Sequence, residues 1–234
     1  MSVWVCPHCP NRKAEQEIEK IDHLARLYAF PTKPEFKNGS FTILDSGAFG
    51  LSKSGKKMDE KYFFDLSEHY KKYEGQNVMC VAPDVALNPI GSIKNFKKWQ
   101  SLNYFKNVVP VLQSDSKDKF NESLVLYQAE FYRQFSDKIF VGSPKASADF
   151  AMGMRYDLFF EKLKKMGFKF IHKLGVGWNL KEISYWANVP FLDSFDSIAY
   201  YTNGREQRFG SKNPVENVKN ILEECEKWKK KSLQ

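Results

Sequence analysis

Three aspartates, each in or just after a strand candidate, are the residues of this sequence best placed to do chemistry. They are Asp45 in Asp45-Ser46-Gly47-Ala48-Phe49, Asp84 after Pro83, and Asp196 in Asp196-Ser197. Gln113, Gly142-Ser143 and Leu174-Gly175-Val176-Gly177 also follow apolar runs. One carboxylate in such a place is ordinary, because aspartate is a common helix cap. Three converging on one face repel one another unless a proton or a cation is shared among them. Such a group can divide nucleophilic and acid–base work between its members.

The elements that must position these residues alternate along the chain. Strand candidates are Ser2–Val5, Phe41–Leu44, Asn77–Val81, Asn107–Leu112, Lys138–Val141, Lys169–Lys173 and Ser194–Tyr200, most of them rich in Val, Ile or Phe. Helix candidates are Ala14–Ala29, Asp59–Tyr73, Ser92–Tyr104, Asn121–Phe135, Tyr156–Met166, Leu180–Asn188 and Pro214–Lys230. The last opens on Asn213–Pro214, a capping residue followed by proline at the first helical position. Alternation of this kind predicts βα units and a parallel sheet. It gives seven units where a closed (β/α) barrel has eight. The expected fold is therefore α/β, a compact TIM-like barrel with one strand missing or irregular, the eighth strand being sought near residues 30–40. An open doubly wound sheet is the alternative. That fold binds its ligand at a glycine-rich first turn, whereas the first turn here is Cys6-Pro7-His8-Cys9-Pro10. In a barrel the aspartates would meet at the C-terminal ends of the strands, where barrel enzymes act.

With 234 residues, 42% of them hydrophobic and 15% aromatic, the chain can bury the core of one domain, residues 1–234. There is no apolar run of about 18 residues to span a membrane. Met1 to Pro10 lacks the pattern of a signal peptide, so a cytoplasmic protein with reduced thiols is expected. The net charge of +8 favours an anionic partner such as nucleic acid, although lysine-rich helices are also simply solvated.

The motifs resemble, in order, those of the tRNA-guanine transglycosylase superfamily. Asp45-Ser46-Gly47-Ala48-Phe49 is similar to its Asp-Ser-Gly-Gly-Phe/Tyr. Val111-Leu112-Gln113 resembles its strand ending in Gln, Gly142 a glycine that exposes backbone to the base, and Leu174-Gly175-Val176-Gly177 its Met-Gly-Val-Gly. Asp193-Ser194-Phe195-Asp196 resembles the Asp-Met-Phe-Asp that ends in the nucleophile. The order and rough spacing agree over residues 41–204. The nearest branch is the DNA-modifying one, the deoxypurine-in-DNA protein A or DNA 7-deazaguanine transglycosylases of phages and bacterial islands.

The resemblance implies a base exchange in which guanine in nucleic acid is replaced by a free 7-deazaguanine such as preQ0. Asp196 would attack C1′ of the nucleoside, and Asp45 would act as base and acid. Asp84, Gln113, Gly142 and Ser46 would line the purine edge, with Phe49 and Leu174 sandwiching the ring. The chemistry is consistent with those residue types. A carboxylate can trap an oxocarbenium-like centre as a covalent intermediate. An ionised aspartate accepts the N1–H and N2–H of guanine, while O6 needs a donor. The base must leave its stack, and an aromatic ring can then hold it.

Other residues are read beside these. Arg205 and Arg208, in a glycine-containing loop after the nucleophile strand, suit phosphate contacts; the tRNA enzymes have a similar Arg-Asn-Gly loop. Asp193 reads as structural. His172 reads as a satisfied core histidine with no role assigned, and His69 as solvated on a polar helix. The tRNA enzymes carry a Cys-x-Cys-x-x-Cys and His zinc site after the nucleophile, and Cys225 is the sole cysteine after Asp196. Cys6 and Cys9 form a zinc half-site, which Cys225 could extend if the last helix packs beside the first strand. DNA is favoured over tRNA as the partner. A tRNA enzyme of the queuine type, or a non-catalytic barrel that only binds a purine or deazapurine, remains as an alternative.

Overall fold

The computed structural model describes residues 3–22, 24–34, 41–115, 121–142, 155–176, 179–197, 199–202 and 210–231. Its strands are β1 (Val3–Pro7), β2 (Arg26–Ala29), β3 (Thr42–Asp45), β4 (Val78–Val81), β5 (Val108–Val109), β6 (Val111–Leu112), β7 (Lys138–Val141), β8 (Phe170–Lys173) and β9 (Ser194–Asp196). All pair in parallel, in the order β5-β4-β3-β2-β1-β9-β8-β7-β6. The two edges of this sheet are consecutive in the chain. Between β5 and β6 lies only Pro110, which has no N–H to donate and so interrupts the ladder. Val109 pairs with Val81 on one side and Val111 with Phe140 on the other, and the Pro110 carbonyl accepts the Phe140 N–H at 3.0 Å. The sheet is thus a nearly closed, TIM-like barrel whose seam falls at a proline.

The eighth stave is β2, and this corrects two expectations. No strand is described over residues 30–34, the rest of the expected 30–40 stretch lying outside the described residues, and the helix expected over Ala14–Ala29 is only Arg12–Ile18 (α1). Asn11 caps α1 by accepting the N–H groups of Lys13 and Ala14. The last strand also stops early, at Asp196, and Ala199–Thr202 is helical. The other helices are α2 (Ala48–Lys53), α3 (Glu60–Lys71), α4 (Pro89–Ser101), α5 (Glu122–Arg133), α6 (Tyr156–Lys165), α7 (Leu180–Asn188), α8 (Ala199–Thr202) and α9 (Pro214–Lys231). Side chains cap five of them: Asp59, Asn88, Asn121, Asn179 and, as expected, Asn213 each accept a first-turn N–H. Asn88 followed by Pro89 starts α4 three residues before the expected Ser92.

Strand alternation divides the core into two layers. Val5, Ala25, Leu27, Ile43, Val81, Val109, Val111 and Phe140 fill the barrel interior, mostly with the branched residues such interiors favour. The larger cluster between barrel and helices is aromatic, with Tyr28, Phe63, Tyr70, Trp99, Tyr132, Tyr156 and Trp186 fully buried. The closing helix α9 packs on α1, α7 and β1. Tyr200 ties that corner, its hydroxyl donating to the Pro7 carbonyl at 2.7 Å while its own carbonyl accepts from Asn217.

Candidate active site

Asp45 is the last residue of β3 and Asp196 the last of β9; Asp84, Gln113, Gly142 and Leu174 follow β4, β6, β7 and β8 directly or within a few residues. All therefore stand at the C-terminal rim of the barrel. The turn after Asp45 is set by Gly47, at φ +75, where a Cβ would lie 2.7 Å from the Phe30 carbonyl oxygen. Only glycine fits there, and its N–H donates to Asp45 Oδ2 at 3.0 Å. The turn launches α2, whose second residue, Phe49, is 64% exposed. Phe49 is therefore rim surface and not core. Leu174 is half-buried and packs on the barrel-interior cluster.

Asp84 and Gln113 form one buried unit. Gln113 Nε2 donates to Asp84 Oδ2 at 2.5 Å, and Ser46 Oγ donates to Asp84 Oδ1 at 3.3 Å. Gly142 leaves room for this amide, since a Cβ there would sit 2.6 Å from Gln113 Nε2. Sequence reasoning missed Gln128 on α5, which is fully buried. Its side chain brackets the Gln113 backbone, accepting the N–H at 3.1 Å and donating to the carbonyl at 2.7 Å. A buried glutamine in an otherwise apolar helix face was the available signal. Tyr62 on α3 was also missed; its hydroxyl donates to the Ser46 carbonyl and so braces the same turn from outside.

Asp45 feels the other two carboxylates. Burial, then the charges of Asp84 and Asp196, push Asp45 up to about 7, against the pull of the Gly47 N–H. Burial pushes Asp84 up to about 6, while its bonds from Gln113 and Ser46 work in the other direction. A carboxyl raised this far can hold or release a proton near neutrality.

Asp196 is held differently. Its Oδ1 accepts the Gly175 N–H at 3.0 Å and faces His172 Nε2 at 3.1 Å, and its backbone carbonyl accepts the Val176 N–H at 2.8 Å. His172, read from sequence as a core residue, is fully buried and touches the proposed nucleophile. Asp193 is structural, as expected: its Oδ2 accepts the Ile171 N–H at 2.7 Å and pairs with Lys164 at 2.6 Å. His69 is not solvated. It is buried among Phe30, Tyr70 and Tyr73, and burial lowers its basicity.

Ser143, Gly177, Arg205 and Arg208 lie outside the described residues. Cys6, Cys9 and Cys225 are all buried, and α9 does pack beside β1. Among the described residues no group of three or more His, Cys, Asp or Glu side chains is arranged to hold a metal. Cys6 Sγ instead faces the Pro7 carbonyl at 3.6 Å, and burial pushes its thiol up to about 12. No described helix is long and apolar enough to cross a membrane. A scan against protein-family models finds no match to this chain, and neither does a search of curated proteins.

Proposed function

We propose that the protein is a guanine transglycosylase that exchanges guanine for a 7-deazaguanine in DNA. The observation that carries this reading is the division of labour at the rim. One aspartate is bound by N–H donors, one is poised near neutrality, and a third is joined to a glutamine amide. In the first step Asp196 attacks C1′ and the glycosidic C–N bond breaks. The departing guanine takes the bonding electrons and a proton from Asp45. In the second step Asp45, now ionised, removes the N9 proton of the incoming base. That nitrogen attacks C1′, and the Asp196 ester bond breaks. Asp45 ends as it began, which suits a group that titrates near the working pH.

Asp84 accepts from the N1–H and N2–H of the purine. Gln113 Nε2 carries two hydrogens, and the one not given to Asp84 is available to O6. Phe49 offers an exposed ring on the rim for a flipped base. Lys56 and Lys57, exposed after α2, together with Arg205 and Arg208, supply cations for the phosphate backbone.

The test is displacement of labelled guanine from DNA by free preQ0, with tRNA as a parallel substrate. Exchange in DNA is expected, faster in single strands than in duplex because the base need not be unstacked. Binding should weaken steeply with salt, and neutralising Arg205 and Arg208 should flatten that slope by about one unit per lost phosphate contact. Exchange in tRNA alone would reassign the polymer. Base binding with no exchange in either polymer would make the protein a recognition barrel.

A further inference from the structure

We propose that His172, fixed by Ser194, is a positioning residue for Asp196: it pins one oxygen of the carboxylate so that the other is presented for attack. The inference rests on the reading of Asp196 as nucleophile. His172 on β8 pairs in register with Ser194 on β9, so their side chains share a face with Asp196, two residues further along β9. His172 Nδ1 lies 2.8 Å from Ser194 Oγ, and Nε2 lies 3.1 Å from Asp196 Oδ1.

The proton positions follow from what each group can do. An ionised carboxylate only accepts, so Nε2 carries the hydrogen. Nδ1 then presents a lone pair, and the Ser194 hydroxyl donates to it. Ser194 thereby selects the tautomer that lets His172 donate to Asp196. The Gly175 N–H donates to the same Oδ1. Among the described residues, Oδ2 receives no hydrogen bond.

The charge state matters as well. The imidazole is fully buried against the Phe140 ring, with centroids 4.9 Å apart. Burial, helped by the neighbouring Lys173, lowers its basicity although Asp196 pulls the other way. His172 therefore donates as a neutral imidazole. It orients the carboxylate without pairing an imidazolium with it, and the nucleophile keeps its charge for C1′.

Two measurements test this. Nitrogen NMR of the histidine-labelled protein should show one of the four histidines as the Nε2–H tautomer. It should stay neutral below the ordinary histidine value of about 6.5, and its signals should move in both Ser194→Ala and Asp196→Asn. In the exchange assay, His172→Ala should lower kcat roughly 100-fold through misplacement of the nucleophile, with KM for the free base unchanged. His172→Gln, which can put an amide N–H where Nε2 stood, should recover part of that loss. An imidazolium, an Nδ1–H tautomer, or a signal indifferent to Asp196→Asn would overturn the proposal. So would a folded His172→Ala with native kcat, or a His172→Gln no better than alanine. If the wild-type protein exchanges no base in DNA or tRNA, the transglycosylase reading fails, and the NMR arm still decides whether His172 positions Asp196.

Discussion

Glu15 on α1 and the aspartates at the barrel rim are both carboxylates withdrawn from water, and the protein treats them in opposite ways. Glu15 sits between barrel and helices. Its Oε1 accepts from the buried Arg26 guanidinium and faces His8 Nδ1 at 2.8 Å, while Oε2 accepts the Cys9 N–H at 2.9 Å. Burial alone would raise its pKa, but Arg26, Cys9 and His8 together bring it below the ordinary range. Asp45 and Asp84 have no basic side chain as a hydrogen-bond partner among the described residues, and both are raised. A paired carboxylate has spent its charge on the fold. An unpaired one keeps that charge, or a proton, for a substrate, and the stability forgone there is a usual mark of a working site.

The two regions should therefore carry opposite pH signatures. Glu15 stabilises the fold above its unfolded value of about 4.3, and that contribution is lost as pH falls through the lower folded value. Asp45 and Asp84 hold protons in the folded state that the unfolded chain releases near about 3.9. Their contribution therefore declines as pH rises toward about 6 for Asp84 and about 7 for Asp45.

The largest effect should come from breaking the paired region. Arg26→Ala leaves Glu15 buried without its main counter-charge and should cost about 3–5 kcal/mol, read as a fall in the urea midpoint. Replacing Glu15 and Arg26 together by leucine should cost far less, because no charge is then stranded. An unchanged midpoint in Arg26→Ala would erase the contrast between the regions. At the rim, Asp84→Ala should weaken binding of free preQ0 by about 1.5–3 kcal/mol, measured by calorimetry; unchanged affinity would remove Asp84 from the pocket. The smallest effect is the most specific. Asp45→Asn should be inactive yet slightly more stable than wild type at a pH of about 8, by about 1 kcal/mol or less because Asp45 is only partly withdrawn from solvent. That gain should vanish near the unfolded carboxylate value of about 3.9. A variant less stable than wild type at the higher pH would show that Asp45 is held ionised by partners.

The rim half of this contrast was readable in the sequence and the Glu15–Arg26 half was not, and the misses have physical causes. Asp45 and Asp84 could be placed because each follows a strand-like apolar run, and parallel barrels bring such ends together; Asp196 was singled out by its motif, since the expected strand ran on to Tyr200. The strand β2 was hidden because Ala14, Ile18, Ile21, Ala25 and Tyr28 recur at helical spacing, so a short strand continued the period of α1. The buried Arg26 also made that segment look like an exposed helix face, since its partner Glu15 is identified only by packing. His172 was passed over for a similar reason. Its meaning depends on the β8–β9 register that sets it beside Ser194, and a single sequence does not give register. His69 followed the polar look of its helix, whereas tertiary packing turned it inward.

Trapping tests the central claim, that Asp196 forms a covalent bond to the nucleoside, most directly. The protein is incubated with guanine-containing DNA, denatured, digested and examined by mass spectrometry. The account predicts a nucleotide ester on the peptide containing Asp196. It should be absent from Asp196→Asn, retained at some level by Asp84→Ala, and discharged when free preQ0 is added. An adduct on a different residue, or native base exchange by Asp196→Asn, would contradict it.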